Sequence, residues 1–398
     1  MTSVSIPALK VRMIKLTLNG QNVLQYIASL SIYETIYKPY HTASLVVEDN
    51  NNVIENLNLK GGEPCEIVFD SGEPSVYENT LYVFSLHGQK SRKSARSATY
   101  TIELIGPEYF SDRKGLVQRS FKDVPATSAI VQIFNEHIGG SLKVKMPSIG
   151  PISKEGFIKS AVKPFRAIDD IKKFCNFGGK GNCMFFKDIK SCVLSPLGVL
   201  FDTMGTQEVF NQIVTIGVRW PEDILRERNM IIVAVAEVDI SKSGRGGSDA
   251  LAAASSQEQK TFDLQTKNKT RNQSAGGGGG NFPGMGGNHG GFPNYSIMDG
   301  AHQPTSIDGA AKTVAERLEA AKFDNNPWMR VKVPIQSGMN CTVGNGIELN
   351  LLPPMGDYNQ YGKSDMSGKY LVCDLSHDLV LVEKTINGTT TMNAAKKG

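Results

Sequence analysis

The 398-residue chain contains no apolar run approaching the ~20 residues that a helix needs to cross a bilayer. Its longest, Met230 to Ala236, has seven residues and stops at Glu237. The opening residues, MTSVSIP, lack the charged and apolar regions of a secretory signal, so the expectation is synthesis in a cytoplasm without export by the general route. Cysteine is scarce: Cys65, Cys175, Cys183, Cys192, Cys341 and Cys373 include no Cys-x-x-Cys pair, and no histidines follow at zinc-finger spacing. Cys183 and Cys192 fall in strand-like runs, where a free thiol packs as a small hydrophobe, which predicts reduced core cysteines rather than a metal site. Charge of one sign is lacking too. A net +4 over this length does not by itself argue for a nucleic-acid or membrane surface.

Catalytic signatures are equally sparse. There is no Gly-x-Ser-x-Gly pentapeptide of the α/β-hydrolase kind, and no two of the six histidines stand at i, i+4 as in zinc proteases. Ser376, His377 and Asp378 are triad residue types side by side, but consecutive strand residues point to opposite faces and cannot form the relay. That leaves His377 as a strand histidine in a polar setting. Nothing marks a pair among the 39 acidic residues for glycosidase work. The glycine-rich stretch Gly276 to Gly291, with ten glycines in sixteen positions, lacks the Gly-Lys-Ser/Thr ending of a phosphate loop. The expectation is therefore a non-enzyme with no catalytic, cofactor-binding or metal-binding residues.

What is present is ordinary globular material, 40% hydrophobic and 21% charged, enough for two or three cores at roughly 100–200 residues each. Residues 1–108 read as strands: Val11 to Leu18, Ile27 to Tyr37, Thr42 to Val47, Glu66 to Phe69, Leu81 to Phe84 and Thr99 to Leu104. Asn19-Gly20 after the first suits a type I′ hairpin, which needs positive φ at both central residues. Short strands separated by turns indicate a small barrel or sandwich.

Residues 109–205 read as an α+β domain. A helix covers Ala129 to Phe134 and stops at Gly139-Gly140; another starts at Pro164 with Phe165, Ile168, Ile171 and Phe174 at spacings of three. Met184 to Phe186 and Cys192 to Leu194 form a strand pair joined at 187–190. Strands return at Gln212 to Val218 and Met230 to Ile240. After them, residues 241–305 are polar, small and too glycine-rich to offset their own ordering entropy. A helix over Asp308 to Phe323 follows, then strands at Met329 to Ile335, Gly346 to Leu351, Lys369 to Leu375 and Leu379 to Lys384, and a short polar tail at 392–398 that should fray. Trp220 and Trp328 stand beside prolines at element edges and suggest packing rather than sugar binding. The fold class is β-rich α+β. One basic run stands out: Lys90, Arg92, Lys93 and Arg96 lie between two strands, at a hairpin tip that is either solvated or in contact with an acidic partner or DNA phosphates.

Three stretches carry a family likeness. Ile32 to Tyr40 (IYETIYKPY), followed by Ala43 to Asp49 (ASLVVED) and Gly61-Gly62-Glu63, resembles the first domain of baseplate hub proteins of contractile-tailed bacteriophages, whose fold also forms the base of VgrG spikes. Lys163 to Ile168 (KPFRAI) resembles that family's middle-domain helix, and Ser367 to Val372 (SGKYLV) with His377 resembles its closing β region. The likeness spans nearly the whole chain; the long glycine-rich stretch 241–305 departs from it. It implies two small tube-type β-barrel domains, 1–108 and 206–240 with 306–391, flanking the α+β insert. It further implies a homotrimer that makes a pseudo-six-fold ring between a six-fold tail tube and a three-fold spike on a separate chain. The implied partners are tail tube, central spike, baseplate wedge and tape-measure proteins, with double-stranded DNA passing through. The implied location is the virion tail baseplate, after assembly in the host cytoplasm. The competing expectations are the hub of a bacterial injection or type VI secretion apparatus, and a tail-associated cell-wall hydrolase.

Overall fold

The computed structural model describes residues 10–70, 76–90, 98–150, 152, 157–178, 180–212, 230–231, 256–262, 269–275, 328–350, 367–382 and 385–396. The chain opens with β1 (Lys10–Leu18) and β2 (Gln21–Asn22), joined through Asn19 (φ 51°) and Gly20 (φ 80°) as the dipeptide predicts. Then come β3 (Ile27–Thr35), β4 (Thr42–Asp49), the short α1 (Val53–Asn56), β5 (Pro64–Asp70), β6 (Val76–Lys90) and β7 (Ala98–Ile105). Their alternation is clean: in β5, Cys65, Ile67 and Phe69 are buried while Glu66, Val68 and Asp70 are half-exposed. One face of each strand therefore has to be covered, and antiparallel pairing in the order β1-β5-β6-β7-β4-β3 covers it.

The middle segment contains α2 (Pro107–Lys114), β8 (Val117–Phe121), α3 (Ala126–Ile133), β9 (Leu142–Val144), β10 (Phe157–Val162), α4 (Pro164–Lys172), β11 (Cys183–Lys187), β12 (Cys192–Pro196) and α5 (Leu197–Thr203). Helix α4 begins at Pro164, where the missing N–H is one the first turn would leave unpaired in any case. Helix α3 runs on through a π-turn at Phe134–Ile138 and ends at Gly139 (φ 77°). The β11–β12 hairpin closes through Asp188, whose carboxylate accepts from the amides of Lys190 and Ser191. A separate core holds these elements together, with Phe121, Ile130, Phe134, Ile168, Ile171 and Leu194 at its centre. Helix α2 has no apolar stripe at helical period, and so the sequence pattern does not announce it.

Then follow β13 (Thr206–Gln212), β14 (Met230–Ile231), β15 (Ser256–Phe262), β16 (Lys269–Ala275), β17 (Trp328–Pro334), the one-turn α6 (Ile335–Gly338), β18 (Gly346–Asn350), β19 (Gly368–Val382) and β20 (Thr385–Lys396). The expected helix at 308–323, Trp220, most of the strands expected at 212–218 and 230–240, the glycine run and the Trp328 side chain lie outside the described residues. Within 241–305, β15 and β16 pair with each other over seven positions.

The hairpin of β19 and β20 organises the rest. Toward its turn, β19 pairs with β3 (Leu379 opposite Leu30) and β20 with β1 (Val11 opposite Ile386). Because β19 and β20 also pair with each other, hydrogen bonding through β1, β5, β6, β7, β4, β3, β19 and β20 returns to its start. Inside this circuit sit Leu16, Leu30, Leu45, Ile67, Phe69, Val83, Ile102 and Leu379. Away from the turn, the same two strands carry β17 on β20 and β18 on β19, with β13 and β14 continuing in parallel. That second sheet covers Val331, Val333, Ile347, Leu349, Phe210, Tyr370 and Met392.

Two sequence expectations need correction here. The strands expected at 369–375 and 379–384 are one continuous strand, with a bulge between Val372 and Asp374 where its buried face shifts. The polar tail expected to fray from 392 is strand as far as Lys396, and Met392, Ala394 and Ala395 are fully buried. Small residues disguise this strand. It is held by backbone partners on both edges, β17 and β19, so it needs little side-chain bulk.

Between β3 and β4 the strap from Ile36 to Tyr40 touches the second core and the middle segment. Ile36 enters the second core, and its amide donates to the Cys373 carbonyl at 2.9 Å. The Lys38 carbonyl accepts from the Lys187 amide, and the Pro39 carbonyl lies 3.7 Å from the Cys192 thiol. Tyr40 packs edge-on against Tyr109 and stacks on Phe165. Replacing Ile36, which is 0% exposed, by Ala should cost about 2–5 kcal/mol in denaturant melts, whereas Tyr37→Ala, 54% exposed, should stay within about 0.5. Gly344→Ala should cost on the order of 2–4 kcal/mol in the same assay, since φ is +77° there and a Cβ would run into the Phe186 ring of the middle segment.

Candidate functional site: a buried polar junction and the faces around it

Where the strap leaves β3 and enters β4, the apolar interior is interrupted by Glu34, His41, Tyr77, Asn79, His377 and Thr390. All but Asn79 are buried. Glu34 follows Ile32 at the inward phase of β3, so the pleat forces its carboxyl inside. His41 immediately precedes β4, Tyr77 and Asn79 come from β6, His377 from β19 and Thr390 from β20. The amide of Asn79 donates to the Tyr77 hydroxyl at 3.0 Å and lies 3.3 Å from Nδ1 of His41. With Nδ1 accepting, the His41 proton sits on Nε2, which lies 4.0 Å from Oε1 of Glu34. Neither carboxyl oxygen of Glu34 nor Nε2 of His41 has a hydrogen-bond partner among the described residues.

Burial sets the charge states. It raises the Glu34 carboxyl to about 8, offset in part by the Val343 amide, which does not reach hydrogen-bond geometry. It lowers His41 to about 4 and His377 to about 3. At neutral pH the cluster is thus uncharged, a buried acid facing a neutral imidazole. Beside it a half-shielded ion pair, Lys187 to Glu108 at 2.7 Å, ties β11 to α2.

Sequence reasoning about Ser376, His377 and Asp378 holds in its geometry but not in its setting. Ser376 donates to Asp378 on the outer face at 3.1 Å, while His377 points inward, with Nδ1 2.9 Å from the Thr390 hydroxyl. His377 is a core residue edge-on to Tyr77, rather than a strand histidine in polar surroundings, because the inward phase of β19 carries it there. All six cysteines are free and buried, as the strand-like runs around two of them suggest. Burial pushes the Cys65 and Cys192 thiols up to about 12. Of the basic run, Lys90 ends β6 opposite Ala98; Arg92, Lys93 and Arg96 lie outside the described residues, in the connection between those paired strands.

Glu34 and His41 escaped sequence reasoning, although one signal was available: a lone acid at the inward phase of an otherwise apolar strand. The outer faces are rich in hydroxyls and acids, with Thr35 donating to Asp374 at 2.6 Å and Ser44 to Glu103 at 3.1 Å. Two groups stand out among the large apolar side chains exposed on this surface. One is Ile14, Val76, Val380 and Leu381, near the turn of the β19–β20 hairpin. The other is Phe84, packed on Tyr109 of α2. Among the described residues no three His, Cys, Asp or Glu side chains gather in a way that could hold a metal ion.

No protein-family model and no curated protein matches the sequence. Solved structures do. The tail protein from Neisseria meningitidis MC58 aligns with a TM-score of 0.52 at 12% identity, over 98% of this chain and 96% of that one. The 43 kDa tail protein of prophage MuSo2 from Shewanella oneidensis aligns with a TM-score of 0.52 at 11% identity, over 96% and 98%. The E. coli c3393 protein, a component of the type VI secretion system, aligns with a TM-score of 0.44 at 8% identity, over 98% and 77%. Over nearly its whole length, then, the chain shares the fold of these two tail proteins.

Proposed function

We propose that the protein is a structural subunit of a phage tail baseplate, a hub that trimerises into a ring between tail tube and spike. The observation that supports this best is the two-sheet body joined by one hairpin, in a chain that aligns end to end with two tail proteins. The closed circuit of eight strands serves as the first tube-type barrel, and the sheet around β13, β17 and β18 as its counterpart. Three such chains present six similar units around a channel, which meets a six-fold tube on one side and a three-fold spike on the other. Closed rings of this kind place their binding free energy in repeated interfaces. On this reading the protein has no catalytic task, it resides in the virion tail, and DNA traverses the ring. The hub of a bacterial injection apparatus is built on the same principle, and neighbouring genes would separate the two.

Light scattering on the purified protein should return three times the chain mass, and negative-stain images a three-lobed ring with a central hole. A monomer that no tail partner converts would overturn the reading, as would solubilisation of cell walls by the pure protein. Changing Lys90, Arg92, Lys93 and Arg96 together to alanine should leave stability within about 0.5 kcal/mol per site while lowering tail assembly or genome delivery. Unchanged infectivity would assign that run to solvent.

A further inference from the structure

The Glu34–His41 pair is placed as a control element rather than as filler. A buried carboxyl without a hydrogen bond is costly, and a core normally replaces it with an apolar side chain or completes its network. Here it stands at the root of the strap that contacts the second core and the middle segment. Its Oε1 faces an imidazole N–H that is likewise unpartnered, at 4.0 Å. The strap's attachments include the Ile36 amide on Cys373, the Lys187 amide on Lys38, the Cys192 thiol near Pro39 and the Tyr40 ring on Tyr109 and Phe165. We propose that Glu34 and His41 form a pH-operated latch: while Glu34 is a neutral acid the strap stays clamped against the second core and the middle segment, and when Glu34 ionises the strap is released.

The surroundings give an emerging carboxylate little help. Tyr77 from β6 and His377 from β19 are neutral, and the Cys341 thiol after α6 is raised by burial. Asp188 at the β11–β12 turn opposes the new charge. Lys187 is the one nearby cation among these groups, and it is engaged by Glu108 of α2. An ionised Glu34 must therefore move toward water, and the strap begins two residues beyond it.

The sign follows from proton counting. Between the ordinary carboxyl value of 4.5 and about 8, the folded chain holds a proton on Glu34 that the unfolded chain has lost. Stability from this group therefore falls as pH rises through that window, and is fully present only below it. His41 and His377 act oppositely. Below 6.5 the unfolded chain takes up protons on these groups that the folded chain refuses until about 4 and about 3, so their contribution falls as pH drops. The sum has its maximum near pH 6.5.

The test uses the full chain and its Glu34→Gln variant, an uncharged isostere of the protonated acid. Between pH 6.5 and 8 the unfolding constant of the wild type should rise by up to about tenfold per pH unit relative to the variant, whose alkaline arm should be flat. Below pH 4.5, where Glu34 is neutral in folded and unfolded chain alike, the two proteins should run parallel. Over the same interval, intrinsic-rate-corrected hydrogen exchange should accelerate at the Ile36 and Lys187 amides while the β5–β6 ladder stays protected. Parallel pH curves for the two proteins would overturn the latch, and so would exchange that accelerates uniformly or not at all. If the variant does not fold, infrared titration of the wild type decides. A protonated-carboxyl band at pH 7 that fades near pH 8 supports the latch, and its absence at pH 7 rejects it.

Discussion

Strands β19 and β20 each need hydrogen-bond partners along both edges, and the length of their hairpin forces those partners to come from different parts of the chain. Toward its turn the free edges are taken by β3 and β1; toward its open end they are taken by β18 and β17. An unpaired edge of this length would be an invitation to other chains. Residues 368–396 therefore close the circuit begun at residue 10 and build the second sheet as well, and the two cores share a continuous backbone frame.

The strap from Ile36 to Tyr40 makes the same connection by side chains. It feeds an aliphatic residue to one core and an aromatic to another, while its carbonyls bond the middle segment. Its polar root at Glu34 and His41 is the weak point of this arrangement, because uncharged groups that lack partners are tolerated only while they stay uncharged. The neighbouring Lys187–Glu108 pair sits at the margin, where solvent screens part of its cost. Rigidity of the body and responsiveness of its junction thus come from the same few residues.

The likeness to tail proteins has a physical counterpart in this layout. Sequence identity of 12% and 11% to the two tail proteins leaves almost no side chain in common, yet the alignments cover nearly the whole chain. The segment IYETIYKPY that carries the family resemblance contains both the buried acid of the junction and the strap.

Period-two alternation determined the strands of the first half directly, because one covered face leaves its mark on every second residue. The Asn19-Gly20 turn and the Pro164 helix start were legible because each depends on backbone conformations that few residue types adopt. The cysteines were legible as core by their strand context. Local pattern could not show that residues 369–382 are a single strand, since its buried face shifts at a bulge and carries a histidine. Nor could it show that the small residues of 389–396 form a buried central strand, because partners on both edges hold it in place of large side chains. The meeting of Glu34, His41 and His377, drawn from positions up to 343 residues apart, was decided by tertiary structure alone: sheet register aligns residues by hydrogen bonding, and that alignment leaves no trace in local composition.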